Sequence, residues 1–200
     1  MNSDFVLQPI FKWLNHKKPL SPTPLSDFDK ISETLIPCDV LLIEGRSRVS
    51  EVIKLITQSS WSHAALYIGR INEISNPKLK SLVQQYYQGD ENEQLMIESE
   101  LGLGTLIRPI SVYKDEHIRI CRPKGLKPED GLDVIRYSVS CIGYQYNVRQ
   151  ILDLARLLFP WHFLPRQWRS SIFNHNVGDP TKTICSTMIA EAFNFVQFPI

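Results

Sequence analysis

Between Val40 and Ile120 the apolar residues fall into five runs too short for helices, and beyond Pro128 they recur every three or four residues. Val40–Ile43, Ala64–Ile68, Leu95–Ile97, Gly104–Ile107 and the alternating Ile118-Arg119-Ile120 predict strands. The period changes where Pro128-Glu129-Asp130 opens a helix with Leu132, Ile135, Val139 and Ile142 on one face, closed by Gly143. Strands that mostly precede helices predict an α+β class rather than a doubly wound sheet. The expected form is an antiparallel sheet packed against helices.

Smaller signals complete the pattern. Val49, Val52, Ile53 and Ile56 have helical spacing between the first two strands, and Gly69 closes the second strand. The polar stretch 72–93 predicts an excursion with a helical piece over 79–87. Glycine-bearing residues 100–104 predict a hairpin. A second late helix carries Val148, Ile151, Leu152, Ala155 and Leu158 and stops at Pro160. A last one buries Met188, Ile189, Ala192, Phe193 and Val196.

Two hundred residues with 43% apolar content suit one ordinary domain. Residues 37–200 carry its signals, and 1–36 form an N-terminal arm. Within the arm, Phe5, Ile10, Phe11, Trp13 and Leu14 lie beside Lys12, His16, Lys17 and Lys18 before a run of prolines. This segment suits either packing on the domain or a peripheral, amphipathic contact with an anionic membrane. A net charge of +1 gives no drive toward nucleic acid. Cys38, Cys121, Cys141 and Cys185 form no C-x-x-C pair, which predicts reduced thiols. With no cleavable signal pattern and no apolar run of about 20 residues, the expected location is cytoplasmic, extending to the inner-membrane surface.

Two segments concentrate chemistry. Trp61-Ser62-His63-Ala64 sets an imidazole at the mouth of an apolar strand, and Ile184-Cys185-Ser186 sets a thiol at the start of an apolar helix. A helix N-terminus favours thiolate and a developing oxyanion, and an imidazole can take the thiol proton. A carboxylate on the second ring nitrogen would fix the tautomer and stabilise imidazolium. Glu98 and Glu100, two apart on one strand, both fit that place, and Glu98 adjoins the apolar run more directly. Zinc ligation by His63, Glu98 and Cys185 is disfavoured because no local ligand pair is present.

Asp39-Val40-Leu41-Leu42, Trp-Ser-His-Ala at 61–64, an acid on a following strand, Gly-x-x-Tyr at 143–146 and Cys-Ser at 185–186 occur in an order that resembles a known family. It is the circularly permuted branch of the NlpC-type papain-like superfamily, most similar to YiiX-like and YebB-like hydrolases, the "lipo-like" proteins. The resemblance covers Pro37 to the C-terminus and implies a permuted papain-like fold with its nucleophile helix last. It implies Cys185 as nucleophile, His63 as base and Glu98 as the orienting residue. Tyr146, with Tyr144 as its competitor, matches the tyrosine near the oxyanion site. Ser186 and Trp61 complete the expected oxyanion and substrate-binding set. Cys38 stands where relatives often carry glycine, a departure expected to be harmless.

Such a site would cleave or transfer an amide or ester through a thioester, with no cofactor and no metal. The substrate class is a small molecule, a peptide or a lipid. The aromatic arm and Phe159–Pro165, with Arg166 and Arg169 nearby, favour an apolar or lipid-linked group. A non-catalytic module that binds an acyl chain or peptide on the same fold is the competing expectation.

Overall fold

The computed structural model describes residues 15–19, 25–100, 103–144 and 185–199. The expected helix from Val148, the Trp161–Phe173 segment and Tyr146 lie outside the described residues, as do Phe5, Phe11 and Trp13 of the arm.

The described chain is α+β. The strands β1 (Val40–Glu44), β2 (His63–Gly69), β3 (Leu95–Glu100), β4 (Gly104–Pro109) and β5 (His117–Cys121) form one antiparallel sheet. Its order is β4-β3-β2-β1-β5. The helices among the described residues are α1 (Phe28–Thr34), α2 (Arg48–Thr57), α3 (Pro77–Tyr86), α4 (Pro128–Ser140) and α5 (Cys185–Phe195). None of them is long and apolar enough to cross a membrane.

Both faces of the central strands are covered, which explains why their sequences read as unbroken apolar runs rather than alternating ones. On one face Ala64, Leu66, Ile68, Leu95 and Ile97 meet Leu79 and Val83 of α3, Val134 and Val139 of α4, and Met188 and Phe193 of α5. On the other, Leu41, Ile43, Ala65, Tyr67 and Met96 are covered by Phe28, Ile31 and Leu35 from α1 and the residue after it, and by Ile110. Thus part of the stretch read as an arm supplies core. Asp27 starts α1 by accepting from the Lys30 N–H, and Phe28, Ile31 and Leu35 share one face through their i, i+3, i+7 spacing.

Charged groups fasten the ends of the sheet. Fully buried Asp39 accepts from the Ile36 N–H at 2.9 Å and takes a two-pronged bond from Arg122 at 2.8 and 2.7 Å. The pair ties the entry of β1 to the exit of β5. Beside it, Cys38 has φ +75°. A left-handed conformation favours glycine, so the cysteine here, expected to be harmless, carries a backbone cost of about 1 kcal/mol. The Cys38 thiol is buried and donates to the Gly131 carbonyl. Burial, with Asp39 adding to it, pushes the thiol up to about 12, which keeps it protonated and inert.

At the opposite end, buried Glu116 gathers Arg46 (Nε at 2.7 Å) and Lys17 (Nζ at 3.1 Å). Lys18 donates its N–H to the Arg46 carbonyl at 3.0 Å, so residues 17–18 are pinned beside the loop after β1. Burial pushes the Glu116 carboxyl up, but bonds from Arg46 and Lys17 outweigh it and hold the group below the usual carboxylate range. A depressed carboxyl stabilises the fold above its unfolded value of about 4.3, and the stabilisation is lost as pH falls through the folded value. Glu116→Gln should therefore destabilise the protein by about 2 kcal/mol at pH 7. Urea unfolding should show the gap between variant and wild type closing below about pH 4; an equal gap at pH 7 and pH 3.5 would contradict the ionic origin.

Candidate functional site

His63 opens β2, and the residues before it fix where the strand begins. The Ser62 N–H donates to the Ile43 carbonyl at 3.1 Å, and the Ser62 hydroxyl accepts from the Gly45 N–H at 2.9 Å. Gly45 must be small: a Cβ there would come within 2.3 Å of the Ser50 Oγ and 2.9 Å of the Ser62 Oγ. The serine of the Trp-Ser-His motif is thus a splice between β1 and β2.

On the sheet, Ile43 pairs with His63 and Ala65 pairs with Glu98. His63 and Glu98 are diagonal neighbours on one face, within reach of an imidazole. The His63 Nε2 lies 2.7 Å from the Glu98 Oε2, with the His63 side chain 16% exposed and Glu98 0%. Burial pushes the Glu98 carboxyl up, but the hydrogen bond and charge of His63, the Tyr113 hydroxyl and the Arg108 charge outweigh it. The net direction is down, so Glu98 is a carboxylate at neutral pH. An ionised carboxylate only accepts, so Nε2 carries the ring proton and Nδ1 is the basic nitrogen of the neutral imidazole.

Two further residues hold Glu98, and neither was singled out from the sequence. The Tyr113 hydroxyl, from the 3₁₀ turn Ile110–Tyr113, donates to the same Oε2 at 2.7 Å, and the ring centroid lies 5.9 Å from that of His63. Arg108 on β4 approaches the Glu98 Oε1 at 3.5 Å and forms an ion pair with Glu100. The Oε1 is buried and accepts no hydrogen bond. Alternating Glu98 and Glu100 on one strand call for a cation on the neighbour, which was the available signal for Arg108. Tyr113 sits between strands, where no periodicity marks it.

Of the remaining expected residues, Glu100, Trp61 and Ser186 have their side chains described. Glu100 takes Arg108, leaving Glu98 to meet His63. Trp61 packs against His117, ring centroids 5.0 Å apart, and His117 in turn reaches Glu44 at 3.1 Å. Ser186 is exposed in the first turn of α5. Cys185 is the first residue of α5, with its side chain outside the described set. Among the described residues no group of three or more His, Cys, Asp or Glu converges as metal ligands.

The direction of α5 follows from its contacts with α4. Phe195 packs on Tyr137 with centroids 5.2 Å apart. Burial pushes the Cys141 thiol up, and the nearby Glu191 carboxylate adds to it. One turn later on α4 therefore matches one turn earlier on α5, and the helices run antiparallel. Just past Cys141, the Gly143 N–H donates to the Thr105 carbonyl at 3.0 Å, and the Thr105 N–H donates to the Tyr144 carbonyl at 3.1 Å. Thr105 pairs with Ser99, the neighbour of Glu98. The first residue of α5, like Gly143 and Tyr144, therefore lies toward the end of the sheet that bears His63. The body of α5 packs on the face opposite His63 and Glu98. No protein-family model matches the chain, and no curated protein matches it.

Proposed function

We propose that this chain is a cysteine hydrolase or acyltransferase on a circularly permuted papain-like fold, acting on an amide or ester bond. The observation that carries the reading is the buried, ionised Glu98 bound to the Nε2 of His63, which leaves Nδ1 as the proton acceptor. Nothing in a purely structural sheet requires an imidazole and a buried carboxylate to be matched in this way, because desolvating the pair costs several kcal/mol. The start of α5 at the same end of the sheet supports Cys185 as the partner of that base.

In this reading the Nδ1 of His63 accepts the Cys185 proton, and the thiolate attacks the substrate carbonyl carbon, forming a C–S bond. Backbone N–H groups in the first turn of α5, aided by Tyr146, stabilise the oxyanion. The tetrahedral intermediate expels its amine or alcohol, which takes the proton from His63. Water, or another acceptor, then loses a proton to His63 as it attacks the thioester and releases Cys185. The aromatic residues of the arm and of 159–163, with arginines nearby, suit a peptide or lipid-linked acyl group near a membrane surface.

The test is thiol reactivity. An ordinary thiol with a pKa of about 8.5 is only about 0.3% thiolate at pH 6. Pairing with imidazolium makes Cys185 mostly thiolate but lowers its intrinsic nucleophilicity, and the two effects leave a net gain of about tenfold. Iodoacetamide at pH 6 should therefore alkylate Cys185 about tenfold faster than Cys121 and leave Cys38 untouched, read by peptide mass spectrometry. An activated ester should also leave an acyl adduct on Cys185. Equal labelling of Cys185 and Cys121, with no adduct, would instead favour a binding module.

A further inference from the structure

From the geometry around Glu98 we infer that Tyr113 is a positioning residue that sets the pH range over which His63 works. The inference rests on the proposed role of His63 as a base. Both the Tyr113 hydroxyl and the His63 Nε2 lie 2.7 Å from one oxygen, the Glu98 Oε2. Two donors on one acceptor compete for its electron density, so each weakens the other. A tyrosine hydroxyl here restrains how strongly Glu98 stabilises imidazolium, while holding the carboxylate in the rotamer that meets the ring.

The surroundings hold the hydroxyl in place. Tyr113 is fixed in a 3₁₀ turn, and its ring centroid lies 5.9 Å from the Lys17 ammonium and 5.9 Å from the His63 ring centroid. Lys17 is held by Glu116, which also binds Arg46. Among the described residues, the other charges acting on Glu98 and Tyr113 are Arg108 and Glu100. Arg108 is shared between the two glutamates, so it neutralises part of both. Burial and the Glu98 charge drive the Tyr113 phenol well above its ordinary range, so it stays a donor at every pH the protein meets. The hydroxyl is therefore a fixed dipole on Glu98.

Tyr113→Phe keeps the ring and removes only the donor. In the full-length protein, the His63 titration followed by ring-proton and nitrogen NMR should move up by about 0.5 pH unit, because Glu98 then serves His63 alone. Lys17→Met, which leaves the hydroxyl in place, should shift it less. The wild-type protein gives an independent readout: the Tyr113 hydroxyl proton should change chemical shift as His63 titrates. An unmoved His63 midpoint in Tyr113→Phe, or a hydroxyl resonance indifferent to that titration, would overturn the assignment. If the midpoint rises but the pH dependence of Cys185 alkylation does not follow, the positioning role stands and the acyl-transfer reading fails.

Discussion

His63→Ala should lower turnover of an activated ester by about 10³-fold, within the range of 10²–10⁴ that a positioned general base supplies. Alkylation of Cys185 at pH 6 should fall about tenfold, to the rate of an ordinary thiol. Two effects are mixed in this variant. Removing the ring deletes the base, and it also strips a partner from a carboxylate that is 0% exposed. The second effect should cost about 2 kcal/mol of stability at neutral pH, because a buried charge loses a hydrogen bond. His63→Gln separates the two: its side-chain amide can still donate to Glu98 but cannot take a proton from sulfur. We expect His63→Gln to melt closer to wild type than His63→Ala while losing as much activity. A His63→Gln protein that keeps more than a tenth of wild-type ester turnover would remove His63 from the chemistry. Parallel thermal melts keep unfolding from being mistaken for lost catalysis.

The sheet was readable because both its faces are buried: the runs at 40–43, 64–68 and 95–97 had to be apolar throughout, and a short apolar run between turn signals has few other fates. The observed strands exceed the predicted ones at ends where polar residues continue the pairing, as Glu98 to Glu100 do on β3. Helix α1 escaped notice because Phe28 and Ile31, with Leu35 just after the helix, lie in a polar, proline-flanked stretch and only their spacing marks them. The His63–Glu98 contact was legible as a proposal because residues two apart share a strand face, although the choice between Glu98 and Glu100 needed the side-chain contact itself. The register pairs Ala65 with Glu98 and so leaves Glu100 as near to His63 as Glu98; the 2.7 Å approach of Nε2 to the Glu98 Oε2 makes the choice. Tyr113 was illegible. Its contact depends on where a 3₁₀ turn brings residue 113 relative to residue 98, and no local pattern encodes that. Cys38 shows the converse, since its sequence gives no sign that φ there is positive and only the backbone shows why glycine would suit the position.

Glu98→Gln should shift the pH profile of any turnover in the direction opposite to Tyr113→Phe. The amide oxygen can keep the place of Oε2 and accept from both His63 and Tyr113. Its NH₂ must then occupy the place of Oε1, which is buried, accepts no hydrogen bond and lies 3.5 Å from the Arg108 guanidinium. Two donors facing a cation in a buried site should cost about 2 kcal/mol, seen as a lower urea midpoint. The larger consequence is electrostatic. A neutral amide does not stabilise imidazolium as a carboxylate does, and loss of a charge-assisted bond of about 1.5–3 kcal/mol corresponds to about 1–2 pH units. The basic limb of the rate profile, where imidazolium loses its proton, should therefore move down by that amount and narrow the active range. Activity at the optimum should fall about 10²-fold, because His63 keeps its tautomer but loses the charge that makes the thiolate–imidazolium pair favourable. Glu100→Gln is the control: Glu100 is bound by Arg108, so its loss should leave the basic limb within about 0.3 pH unit of wild type. If Glu100→Gln moved the limb as far as Glu98→Gln, the effect would be the general negative field of β3 rather than the specific contact between Glu98 and His63.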